Sequence, residues 1–173
     1  MPRHSEQRLF KVSAGLVMYR VNREGRLEVL LVHPGGPFWA KKDFGSWTIP
    51  KGETAPSEDL LAAARREFEE ELGFVPQGRL LPLGVVSQKG GKKVHAWAFE
   101  GDCNPTALKS NTFRLEWPPH SGHMQEFPEV DRAEFFVMDE AKKKINPAQV
   151  ELLVALEGHT HPPVDRATDN LQT

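Results

Sequence analysis

GETAPSEDLLAAARREFEEELGF, residues 52–74, decides how the rest of the chain is read. Leu61, Ala64, Phe68 and Leu72 recur at steps of three and four, which lays one apolar stripe along a helix. Asp59, or Ser57 in its place, has the chemistry of an N-cap, and Gly73 is the residue type that ends a helix in the left-handed conformation. Glu67, Glu70 and Glu71 fall at i, i+3 and i+4, so three carboxylates share one face and repel each other. A solvated acidic face balanced by Arg65 and Arg66 is the plain account of such a cluster. A bound divalent cation is the chemical one, because hard ions take carboxylate oxygens.

Upstream of this helix, Lys11–Val21 and Leu27–His33 are β-branched and apolar, and Asn22-Arg23-Glu24-Gly25 between them is turn chemistry. Pro34-Gly35-Gly36-Pro37 predicts an irregular loop leading through Phe38-Trp39 and Lys41-Lys42-Asp43 to a short extended piece, Ser46–Pro50. Downstream, Leu80–Ser87 and Lys93–Phe99 read as strands around a Gln88-Lys89-Gly90-Gly91 turn. Phe113, Leu115 and Trp117 alternate with polar neighbours as in a half-buried strand, which Pro118–His123 then breaks. Glu134–Met138 is expected to be the last strand, and Asn146-Pro147 to cap and open a helix running to about Glu157. Strands, helix, strands, helix predict an α/β domain with a mixed sheet packed between helices. The expected division is a flexible N-terminus over 1–9, one domain over 10–158 and a flexible tail over 159–173.

Composition narrows the function. The 173 residues are 39 % hydrophobic and 27 % charged, as expected of a soluble domain with its own core. A net charge of −2 offers no basic field for nucleic acid or a lipid surface, so a polyanionic substrate has to be met by local lysines and a metal ion. Cys103 is the one cysteine, which excludes an intrachain disulfide and suits a reducing compartment. MPRHSEQRL has no apolar signal segment, and no run of about 18 apolar residues occurs. A cytoplasmic protein with a small-molecule partner is expected, with no stable nucleic-acid partner, no membrane, and an oligomeric state left open. The histidines show no HExxH spacing for zinc, and no phosphate loop of the P-loop type is present.

The wider spacing is more specific than the helix. Gly52, five residues, Glu58, seven residues, Arg66-Glu67, an apolar Phe68, one residue, Glu70-Glu71, one residue, Gly73 and an apolar Phe74 match the Nudix signature at every defined position. With each fixed residue type at roughly 6–7 % in average proteins, the seven fixed positions coincide by chance about once in 10⁹. The chain thus resembles the Nudix hydrolases over roughly residues 10–157, with only 52–74 highly specific.

That resemblance implies an α/β/α sandwich with a central mixed β-sheet, and a metal-dependent hydrolase of diphosphate bonds. It implies Glu70 and Glu71 as the main metal ligands, Glu67 as a ligand or as the base that deprotonates water, and Arg66 as the group orienting these carboxylates. The backbone carbonyl of Lys51 is a further implied ligand and Glu58 a weaker, water-mediated contributor, while Gly52 and Gly73 are structural. The implied cofactor is Mg²⁺, with Mn²⁺ as a substitute and the number of ions open. Many members take one more glutamate from a loop before the last strand. Glu129 and Glu126 both qualify, and Glu129 is preferred because Gln125–Glu129 resembles the corresponding part of diadenosine tetraphosphate hydrolases.

Trp47-Thr48-Ile49-Pro50-Lys51-Gly52 is similar to the same stretch in diadenosine polyphosphate and inositol pyrophosphate hydrolases. Lys51, Lys92, Lys93, Lys41 and Lys42 are the candidate phosphate-binding cations. A base needs an aromatic platform, for which Trp39, Phe38, His95 and Trp97 are candidates, although Trp47 and Trp97 also fit plain core positions. Three readings follow: a dinucleoside polyphosphate hydrolase, an enzyme acting on another diphosphate (a damaged nucleoside triphosphate, a nucleotide sugar or an inositol pyrophosphate), or a non-catalytic binding module of the same fold. Gly101–Gly122 departs from compact members and is expected to cap the substrate.

Overall fold

The computed structural model describes residues 11–160. β1 (Val12–Val21) and β2 (Leu27–Pro34) form the expected hairpin, with the Asn22 side chain accepting the Glu24 and Arg26 N–H groups. Only Tyr19–Val21 pairs with Leu27–Val29; beyond that the two strands part. Into the gap come Thr48, bridged to Val32, and β3 (Lys51–Glu53), antiparallel to Ser13–Gly15. The splayed hairpin therefore seats Lys51 and Gly52 within the sheet, immediately before α1 (Leu60–Leu72).

β4 (Leu81–Ser87) and β5 (Lys93–Glu100) extend the sheet on one side and β8 (Val130–Val137) on the other, in the order β4-β5-β1-β2-β8. The β1–β5 pair is parallel and its neighbours are antiparallel, so the sheet is mixed. Period-two alternation divides it into two faces. Leu16, Met18, Leu30 and Val32 meet Ala63, Ala64, Phe68 and Leu72 of α1. Val17, Val29, Leu31, Trp47 and Ile49 meet Leu152, Leu153 and Leu156 of the C-terminal helix. The result is the α/β/α sandwich. Full burial of Phe68 and Leu72 stabilises the docking of α1 by about 2 kcal/mol each. Asp59 caps α1 by accepting the Ala62 N–H, and Gly73, at φ 76°, closes it by donating to the Glu69 carbonyl.

The C-terminal third differs from expectation. The expected break after Trp117 is only a turn: β6 (Thr112–Glu116) pairs with a further strand, β7 (Met124–Pro128), as a two-stranded ribbon outside the main sheet. Met-Gln-Glu-Phe-Pro carries no apolar alternation because β7 covers no core. β8 begins at Val130, four residues ahead of the expected start, and runs directly into α2 (Met138–Lys144). That helix buries only Met138 and Ala141, too short a stripe to read from sequence. Acidic residues in its first turn and lysines in its last complement the helix dipole. Asn146 does act as an N-cap, its side chain accepting the Ala148 N–H, but the chain opens as a 3-10 turn, Pro147–Gln149, before α3 (Val150–Thr160). α3 passes through Gly158 into the first two positions of the expected tail. The rest of that tail and the expected loose N-terminus lie outside the described residues. Among the described residues no helix is long and apolar enough to cross a membrane.

Candidate active site

Arg66 organises the acidic face of α1. Its guanidinium donates to Glu58 at 2.8 and 2.9 Å, to Glu67 at 2.9 Å and to Glu70 at 3.1 Å. Glu67 is almost fully buried because β3 crosses it at Gly52: a Cβ there would lie 2.0 Å from the Glu67 carboxyl carbon. Glu71 points the same way and accepts the Lys51 N–H at 3.3 Å. The Lys51 amide is thus hydrogen-bonded to the cluster. Glu58, expected as a minor contributor, anchors Arg66 from the loop and also accepts the Ala55 N–H at 3.1 Å.

Glu129 is carried to this face by a relay of backbone hydrogen bonds. The C-terminal carbonyls of α1 at Glu70 and Leu72 accept the Asn111 and Lys109 N–H groups, at 3.0 and 3.2 Å. The Asn111 carbonyl accepts the Glu129 N–H at 2.8 Å, and the Glu129 carbonyl accepts the Gly35 N–H at 2.9 Å. A Cβ on Gly35 would fall 1.9 Å from the Pro128 carbonyl oxygen, so only glycine lets this strand start come so close. Glu126 lies outside the relay, exposed on β7 opposite Arg114. Within the Gly101–Gly122 segment, Lys109–Asn111 caps the end of α1. Asn111 and Gly35 escaped the sequence reading, because nothing local marks a residue whose partners lie dozens of positions away.

Of the five candidate lysines, the fold brings Lys51 and Lys92 to the cluster. The Lys51 ammonium feels Lys92, Glu71, Glu53 and Glu67, and Lys92 lies 3.7 Å from Glu53. Among the described residues no contact joins the Lys41, Lys42 or Lys93 ammonium to the carboxylates; Lys42 rests 4.9 Å over the Trp39 ring. Trp39 is exposed, and its neighbour Phe38 meets Trp117 edge-to-face at 5.2 Å. Trp47 is a core residue, as its alternative reading had it. On the opposite flank, a groove of about 580 Å³ is lined by Lys11, Glu53, Thr54, Glu58 and His95. An equally large cavity at Gly73–Gln77 and Gly101–Cys103 shares no residue with the acidic cluster.

A family model of the NUDIX domain matches residues 9–156 of this chain. The chain belongs to the Nudix family. As a Nudix protein it is a pyrophosphohydrolase, an enzyme that cleaves diphosphate bonds. Comparison with solved structures agrees on the fold. A C. elegans Ap4A hydrolase in a binary complex superposes with a TM-score of 0.60 at 22% identity, over 86% of this chain and 97% of that one. The NUDIX domain of Shewanella oneidensis NrtR, complexed with ADP ribose, gives 0.61 at 15% identity, over 87% and 88% of the two chains. A MutT protein from Methanosarcina mazei Go1 gives 0.55 at 18% identity, over 88% and 96%. No curated protein sequence matches.

The electrostatics of this Nudix site fit a divalent cation. Burial, then repulsion among the glutamates, pushes Glu71 up to about 8, against the pull of Lys51. Burial raises Glu67 as well, and burial followed by Glu70 raises Glu129. Arg66, by contrast, holds Glu58 down at about 2. Among the described residues no three acidic, His or Cys side chains already close on one metal position; the Arg66 guanidinium sits among the carboxylates instead. The donor set is nevertheless all oxygen, which suits a hard divalent cation.

The shift of Glu71 has a testable sign. A carboxyl raised from 4.5 to about 8 by folding contributes its full stability below pH 4.5 and loses it as pH rises towards 8. In EDTA the melting temperature is expected to fall across that window. Mg²⁺ should raise it more at pH 8 than at pH 5, since the cation competes with the proton for the same oxygens. An equal Mg²⁺ shift at both pH values in thermal melts would contradict a Glu71-centred site.

Proposed function

We propose that this Nudix enzyme is a Mg²⁺-dependent hydrolase of dinucleoside polyphosphates, of the type of diadenosine tetraphosphate. The observation that supports the reading is the cluster of Glu67 and Glu70, paired with Arg66, with Glu71 against the Lys51 amide and Glu129 close enough to Glu70 to feel its charge, and with the Lys51 ammonium beside Glu71. Glu70 and Glu71, with Glu67 and the Lys51 carbonyl, hold the metal in this reading. Held by these carboxylates, a divalent cation would supply charge compensation for the diphosphate and would lower the pKa of water. Glu129 accepts the proton of the attacking water, a role suited to a carboxyl whose proton affinity is raised by burial and by Glu70. Lys51 and Lys92 hold phosphate oxygens, and Arg66 keeps the carboxylates apart and in register.

Two flanks favour a substrate with two bases. Phe38 and Trp117 meet edge-to-face, with Trp39 exposed next to them in the chain after β2, and the His95 groove lies on the β5 side of β1. The similarity of Trp47–Gly52 to diadenosine polyphosphate and inositol pyrophosphate hydrolases suits a polyphosphate substrate of either kind.

Product analysis with diadenosine tetraphosphate, nucleoside triphosphates, ADP-ribose and an inositol pyrophosphate tests this. Fast cleavage of the dinucleotide to two nucleotides, abolished by EDTA, is expected. Preference for ADP-ribose or a triphosphate would overturn the substrate and keep the reaction.

A further inference from the structure

His33 is a fully buried imidazole near the end of β2 that the proposed reaction does not use. Its Nδ1 lies 2.8 Å from Asp131 Oδ1 and its Nε2 lies 2.7 Å from the Lys42 carbonyl oxygen. The Lys42 carbonyl oxygen can only accept, so Nε2–H donates to it, and Nδ1 is left to share a hydrogen bond with the Asp131 carboxyl group. Trp47 packs edge-on against the imidazole at 5.2 Å, and Arg132 approaches Asp131 at 3.7 Å from outside. A buried group so fully engaged fixes the position of whatever its partners belong to.

Those partners flank the site. In the β2–β8 ladder His33 pairs with Arg132 and Pro34 with Val130, which leaves Asp131 as the extra residue of a bulge. Bulges bend their strand and re-aim the side chains beside them. Two positions before the bulge stands Glu129, bonded through its own backbone to Gly35 and Asn111.

We propose that His33 and Asp131 are positioning residues, whose part-buried hydrogen bond holds the β8 bulge that presents Glu129 to the carboxylate face of α1. This rests on the role proposed above for Glu129. The Lys42 carbonyl, on the other ring nitrogen, ties the Trp39–Lys42 turn to the same imidazole.

The test is a set of kinetic and structural comparisons on the full chain. Asp131→Ala, at an exposed residue that spares the core, is expected to lower kcat about tenfold while KM stays within about threefold. His33→Phe, which keeps the ring against Trp47, should do the same. Asp131→Asn should recover most of the rate, because an amide can turn its NH₂ towards an unprotonated Nδ1. In a Glu129→Gln background, Asp131→Ala should add less than about a twofold loss, since the pair acts through Glu129. An additive loss, a loss confined to KM, or an Asn variant as impaired as the Ala variant would overturn the positioning role. Glu129→Gln at the wild-type rate would instead remove the role of Glu129, and the positioning role with it. A crystal structure of Asp131→Ala needs no substrate: a Glu129 carboxyl displaced by about 1 Å or more is expected, and one left in place overturns the proposal.

Discussion

Glu70→Gln is expected to lower kcat by roughly 10²–10³-fold while leaving the melting temperature within a few degrees of wild type. The Glu70 side chain is 37% exposed and lies off the stripe of Ala64, Phe68 and Leu72 that docks α1, so the core does not depend on it. Glutamine keeps an oxygen that can accept the Arg66 hydrogen bonds now made at 3.1 and 3.2 Å. What it loses is the charge, and a hard cation among oxygen ligands is bound chiefly by charge. Steady-state kinetics at saturating Mg²⁺, paired with calorimetry, separate the outcomes. A rate near wild type would remove Glu70 from the metal site. A rate that falls together with the melting temperature would make its role structural.

Gly52→Ala is the second large effect. The added carbon would lie 2.0 Å from the Glu67 carboxyl carbon and 2.1 and 2.4 Å from its oxygens, so either the carboxylate or the backbone has to yield. The backbone is held, because Gly52 faces Ala14 in the β1–β3 ladder. Glu67 is held too, buried and bonded to Arg66 at 2.9 Å. Overpacking of this kind costs about 1–3 kcal/mol, and a carboxylate displaced by about 1 Å costs on the order of 10²-fold in rate. Both losses are expected together, in a urea melt and in kcat. An alanine variant with wild-type turnover would show that the position of Glu67 does not matter to the reaction.

The legible parts of this chain were the local ones. α1 could be read from end to end because its caps, its 3.6-residue stripe and its i, i+3, i+4 carboxylates all lie within one short segment. The two hairpin turns, Asn22–Gly25 and Gln88–Gly91, were legible for the same reason: each closes on itself, through Asn22 in the first and through the Gln88 N–H to Lys92 in the second. α2 and β7 were not. The one buries a single turn and the other covers no core, so neither leaves a periodic trace.

The acidic helix, its candidate metal-binding carboxylates and the family of the fold were therefore legible in the sequence, since a spacing along one helix is also a geometry in space. The choice among candidates was not. Among the five candidate lysines, the splay of β1 from β2 sets Lys51 in the sheet, where its ammonium feels Lys92 and Glu71, whereas among the described residues Lys41, Lys42 and Lys93 make no contact with the carboxylates. Glu129 and Glu126 differ by three positions, yet only Glu129 is held between Asn111 and Gly35 and coupled electrostatically to Glu70. His33 and Asp131 lie nearly a hundred positions apart, and their bond exists because a bulge in β8 turns Asp131 towards β2. Tertiary structure decided these points because burial and long-range hydrogen bonds, unlike helical periodicity, depend on which segments the sheet brings side by side.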